Sequence, residues 1–126
     1  MEKVKFKNDP TFLVAKGRFS GKDEYRFAQE KEHISKLSDA IFMAINKHGY
    51  AQIRAIGARA IANAVRAITN VTERCKKRNV RLLWESVVEK GNLGPIRNEG
   101  HVSDVVAYLF TIKHFEELDL EVADDN

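Results

Sequence analysis

A single cysteine, no apolar run of bilayer length and no ligand-spaced histidines narrow what this 126-residue chain can be. Cys75 has no partner within the chain, so no internal disulfide forms and the core must hold the fold by itself. One domain of this size buries roughly two thirds of its unfolded surface and needs no staple. The opening MEKVKFK lacks the apolar stretch of a signal peptide, and no uninterrupted apolar segment would cross a membrane. A soluble cytoplasmic protein with no membrane association is expected. His33, His48, His101 and His114 fall on separate elements, so no metal site is expected. Cys75 has no neighbouring base to activate it as a nucleophile. Gly57 stands alone where a dinucleotide fingerprint needs several glycines. The chain is therefore not expected to be an enzyme, and no cofactor is called for. It has no internal repeat, no low-complexity segment and no aromatic motif for reading single-stranded bases.

What is present is charge, unevenly placed. Residues 116–126 hold Glu116, Glu117, Asp119, Glu121, Asp124 and Asp125 with no Lys or Arg, which leaves 21 basic and 12 acidic groups, or +9, in the other 115 residues. A basic body of this kind favours polyanionic partners through steering and counterion release. The acidic C-terminal tail either solubilises the chain or folds back to compete with nucleic acid.

Along the chain, residues 1–22 read as a basic N-terminal arm, with a turn at Asn8-Asp9-Pro10 and an extended piece at Thr11 to Ala15. Three roles are open to it: a strand added to the sheet edge, a cover for an apolar surface, or a loose basic tether. The domain proper is set at residues 23–115, with its first strand at Tyr25 to Gln29. Ile34 to His48 has the period of a helix with Ile34, Leu37, Ile41, Ala44 and Ile45 inward and Gly49 as its stop. A second strand at Ala51 to Ile56 leads through Gly57 into a helix from Ala58 to about Arg78, and strands follow at Val80 to Lys90 and Asp104 to Phe115. Gly91 to His101 makes a long, glycine-rich hairpin connection, a length that is more often functional than decorative. The last strand is apolar on both faces, and two helices cover only one face of a four-stranded sheet, so the other is expected to meet a second subunit or the N-terminal arm, and a homodimer is expected.

The helix from Ala58 is the most informative segment. At 100° per residue, Ile61, Ala64, Val65, Ile68, Val71, Thr72 and Cys75 share one arc, and Arg59, Asn63, Arg66, Asn70 and Lys77 the opposite one. With no carboxylate before Glu73, that polar stripe presents guanidinium and amide donors suited to phosphate. The alternative for the stripe is a solvated helix face.

The run AIGARAIANAVRAI at Ala55 to Ile68 resembles stage V sporulation protein S and, more distantly, the Alba superfamily of chromatin and RNA-binding proteins. With its flanking elements the resemblance spans Glu24 to Phe115. It implies an α/β (α+β) two-layer sandwich in the order β-α-β-α-β-β, two helices on one face of a four-stranded mixed sheet, and a homodimer. Carried over by position, the family's nucleic-acid contacts become Lys31, His33 and Lys36, then Arg59, then the hairpin tip with Asn92 and Arg97. Asn63 and Arg66 join them from the stripe. The chain departs from the Alba pattern at Glu30-Lys31-Glu32-His33, where carboxylates flank the cations, and at Glu99 beside Arg97. A backbone-directed, regulatory or chaperone-type dimer binding DNA or RNA is the expectation. The alternative is a regulatory dimer of the sporulation-protein type acting through protein partners. Nucleotide binding at the Gly57 turn is a third reading, because helix N-termini attract phosphate.

Overall fold

In the computed structural model, residues 9–89 and 107–115 are described. Their elements are β1 (Phe12–Ala15), α1 (Asp23–His48), β2 (Tyr50–Ile56), α2 (Ala58–Lys76), β3 (Leu82–Glu89) and β4 (Ala107–His114). The expected β-α-β-α-β-β order and two-helix, four-stranded mixed sheet are both present. The strands lie in the order β1-β2-β4-β3, with β1 parallel to β2 and the other neighbours antiparallel. A parallel neighbour requires a crossover, and α1 supplies it.

The opening strand differs from the sequence expectation. Tyr25 to Gln29 lie inside α1, which begins at Asp23 instead of Ile34, and the first strand is Phe12–Ala15. Of the three roles open to the basic arm, these four residues take that of a strand on the sheet edge. Tyr25 and Phe27 imitate strand alternation, but Glu24, Arg26, Ala28, Gln29, Glu30 and Lys31 around them are good helix formers. Asp23 and Glu24 also sit in the first turn, where negative charge suits the helix dipole. Ion pairs Arg26–Asp23 and Lys36–Glu32 brace the exposed flank, and both aromatics stay exposed.

The core lies between sheet and helices. Ala51, Ile53 and Ala55 of β2, with Phe110 and Ile112 of β4, meet Leu37, Ile41, Ala44 and Ile45 of α1. Gly49, at φ 87°, ends α1 and returns its N–H to the Ile45 carbonyl at 2.9 Å. Cys75 is buried, as its position on the apolar arc implied.

A second correction concerns the face of α2. Its buried residues are Ala60, Asn63, Ala64, Ala67, Ile68, Val71 and Cys75, while Val65 is exposed and Thr72 half-buried. The buried arc is thus rotated by about 70° from the apolar arc, toward the polar stripe. The cause is α1, which packs along that flank: Asn70 donates to Ser38 Oγ at 3.3 Å and Arg74 pairs with Asp39 at 3.0 Å. Small residues and hydrogen-bonding side chains let the two helices close on each other there. By contrast, β3 extends past both helices. Trp84 faces the same side as Ile112 yet is 45% exposed, and Val87 on the other side is 54% exposed.

Candidate functional site

The residues between β1 and α1 form a strap across the start of α2. Asn63 Nδ2 donates to the Lys16 carbonyl at 2.9 Å, and the Lys16 N–H donates to His33 Nε2 at 2.9 Å. The Phe19 ring rests against His33 with centroids 5.6 Å apart. Gly17 lies so close to α2 that a Cβ there would stand 2.6 Å from the Ala60 nitrogen, a distance no backbone atom tolerates. The strap is therefore clamped from both helices at once.

Beneath it sits a charged hub. Glu30, only 7% exposed, accepts hydrogen bonds from Arg59 Nε and Nη2, both at 2.8 Å, and from Asn63 Nδ2 at 2.9 Å. The Arg59 bonds first and the Asn63 bond second hold the Glu30 carboxyl down at about 2. The same pairing raises the Arg59 guanidinium above its ordinary value. Both partners of Asn63 are acceptors, which fixes its amide nitrogen toward them. His33 is shifted the other way: burial first, then the Lys16 charge, lower its pKa, and its Nε2 must be unprotonated to accept the Lys16 N–H.

The residues expected to contact nucleic acid divide under this geometry. Asn63 is 1% exposed and belongs to the hub, so it presents no donor to solvent. Arg59 keeps 60% of its side chain exposed, but its charge is matched by Glu30. Lys31, His33 and Lys36 lie in the middle of α1 and not near its start, because the helix begins eleven residues earlier than expected. Lys36 is exposed and pairs with Glu32 at 3.1 Å, and Lys31 is exposed. Arg66 is exposed and has no ion pair among the described residues. Asn92 and Arg97, with the rest of the hairpin tip, lie outside the described residues, as does the acidic segment 116–126. The carboxylates that seemed to oppose phosphate are instead engaged, Glu30 by Arg59 and Glu32 by Lys36.

Two cations that sequence reasoning assigned only to an arm now stand at the site. Lys16 and Arg18 flank the clamped Gly17 and, with Gly57, Ala58 and Arg59, line an open cavity of about 620 Å³ at the N-terminus of α2. Gly57, at φ 95° and ψ 155°, makes the strand-to-helix turn in a conformation available essentially to glycine alone. No side chain caps this end and the first turn carries no acidic residue. The Ala58 and Arg59 N–H groups have no acceptor among the described residues, so the positive end of the helix dipole is open. A second concavity on the other side of the strap is lined by Lys16, Arg18, His33 and Lys36 among others. Chemically the arrangement suits an anion spanning the strap. Lys16 and Arg18 had one readable signal, the basic stretch beside Phe12, Leu13 and Val14, and what it lacked was the length of α1 that fixes where the strap must cross.

Among the described residues no three His, Cys, Asp or Glu side chains gather to hold a metal ion, and no helix is long and apolar enough to cross a membrane. No curated protein gives a significant match to the chain. The model of one family, described as Stage V sporulation protein S (SpoVS), matches residues 29–85. The matched stretch runs from the second turn of α1 into β3 and contains Glu30, Arg59 and Asn63, whereas Lys16 and Arg18 precede it. Over this stretch, just under half of the chain, the protein is similar to the Stage V sporulation protein S family, whose description ties it to sporulation.

Proposed function

We propose that this protein is a small regulatory nucleic-acid-binding protein that holds the phosphate backbone at the strap. The observation that carries the reading is the clamped Lys16-Gly17-Arg18 segment beside the uncapped N-terminus of α2. A clamped backbone loses little further entropy when its cations bind, although their exposed side chains must still order, and helix amides add donors without charge of their own. Arg66 extends the positive surface; Arg59, paired with Glu30, and Lys36, paired with Glu32, shape it. Among the described residues no base-reading device accompanies them, which favours contacts to backbone over sequence.

The test is fluorescence anisotropy with double-stranded DNA, double-stranded RNA and single-stranded RNA across a salt series. Lys16→Glu with Arg18→Glu is expected to weaken binding at least about tenfold and to reduce the salt slope by roughly 1.4–1.8, the value for two lost phosphate contacts. An unchanged affinity and slope in the folded double variant would remove the strap from the interface. Absence of binding by the natural sequence to all three probes at low salt would move the function to a protein partner.

A second copy is the partner that the sheet calls for. Leu83, Trp84, Val87 and Val88 expose apolar surface on both faces of the edge strand β3, an arrangement that solitary domains usually avoid. Sedimentation equilibrium is expected to return twice the chain mass for the natural sequence and a single chain mass for Trp84→Glu. A monomer at the highest soluble concentration would overturn this.

A further inference from the structure

The topology gathers a second cationic surface at the end of the molecule opposite the strap. Both helices run the same way, so their C-termini come out together with the start of β3 and the end of β4. Tyr50, two residues after α1, pairs with Lys113; Leu82 pairs with His114; and the Val80 N–H returns to the Cys75 carbonyl at 2.9 Å. Lys47, Lys76, Lys77, Arg78, Arg81 and Lys113 are thereby brought to one end, all of them exposed. None of the six takes part in an ion pair among the described residues. Of the described carboxylates nearby, Asp39 is paired with Arg74, while Asp9, hydrogen-bonded to Thr11, and Glu73 keep their negative charge, too few to balance six cations. Two helix C-termini with their partial negative charge do not balance such a group.

We infer that the acidic segment 116–126 docks on this basic end and neutralises it. The chain delivers that segment to the spot: the Phe115 N–H bonds to the Arg81 carbonyl at 2.8 Å, and the Arg81 guanidinium lies 5.8 Å from the Phe115 ring. Glu116, Glu117, Asp119 and Glu121 follow directly, within a reach of at most about 20 Å of extended chain. The helix end is closer than that, since Arg81 stands five residues past Lys76 and the turn folds back on Cys75. Tethering at this distance gives millimolar effective concentration, enough for a many-charge contact that is individually weak. A polyanion approaching the basic end must displace the segment, while the strap at the other end stays open.

The test keeps the full chain and uses no nucleic acid, so its failure is separate from failure of the strap reading. In one variant Glu116, Glu117 and Glu121 become glutamine and Asp119, Asp124 and Asp125 become asparagine. Amide ¹H–¹⁵N spectra are compared with the natural sequence at low and high salt. Shifts are expected at Lys76 to Arg81 and at Lys113, independent of protein concentration and abolished by roughly 0.5 M salt, where screening acts within several ångströms. Differences confined to the substituted segment and its immediate neighbours, or centred on Lys16 to Lys36, would overturn the inference. Heparin supplies a second readout. Neutralising the segment is expected to raise the eluting salt concentration, and Lys76→Gln, Lys77→Gln and Arg78→Gln together to cut that increase by at least half. An undiminished increase in that background would also overturn it.

Discussion

Asn63→Leu is expected to destabilise the protein by roughly 2–4 kcal/mol, although leucine matches the apolar character of the helix face around it. Among the described residues Asn63 is the one side chain that bonds both to the strap and to Glu30, through Nδ2 at 2.9 Å to each acceptor. Leucine fills the volume and leaves the part-buried Lys16 carbonyl and the buried Glu30 carboxylate without this donor, and an abandoned buried acceptor costs about 1–3 kcal/mol. For a domain of this size the thermal midpoint should fall on the order of 10 °C. The same substitution should raise the Glu30 pKa, since the second of its two main causes is gone. A loss below about 1 kcal/mol, which would mean that water replaces the amide without penalty, would remove Asn63 from the centre of the hub.

Acid should unlock the strap in two stages, and the signs follow from the shifts. The Glu30 carboxyl sits at about 2 against an ordinary 4.5, so its contribution to stability is complete above 4.5 and disappears as pH falls toward 2. His33 is depressed from 6.5, so below that value the unfolded chain takes up a proton that the folded chain refuses. Stability therefore declines first below 6.5 and again below 4.5. When His33 is finally protonated, Nε2 becomes a donor facing the Lys16 N–H and the Lys16 ammonium, and the strap loses its hold on α1. Urea midpoints across pH 7 to 3 should show His33→Gln flattening the upper step and Glu30→Gln the lower one. Curves that run parallel to that of the natural sequence would show that neither group governs the acid response.

The order of elements and the inward face of α1 could be read directly, because Leu37, Ile41, Ala44 and Ile45 recur at helical spacing and Gly49 supplies a stop that needs no tertiary partner. Cys75 was equally legible from its place on an apolar arc. The first strand was misplaced because Tyr25 and Phe27 carry strand propensity, whereas what decides their conformation is a helix long enough to bring Glu30 over Arg59. Asn63 marks the sharper limit. Periodicity counts polar residues as outward-facing, and only a partner on another element can make an asparagine worth burying.

What the sequence determined by itself, then, is everything that depends on neighbours a few positions away: helix periods, the glycine turns at 49 and 57, the surplus of positive charge and its exception at 116–126. Tertiary structure alone decided which flank of α2 is buried, that the strap crosses its N-terminus, and that six cations from both helices, β4 and the turn before β3 share one end. Those outcomes rest on contacts between residues some 30 to 60 positions apart, such as Glu30 with Arg59 and Lys16 with Asn63. Such pairs are fixed by where the packed elements put them, and no local pattern in a chain encodes that distance.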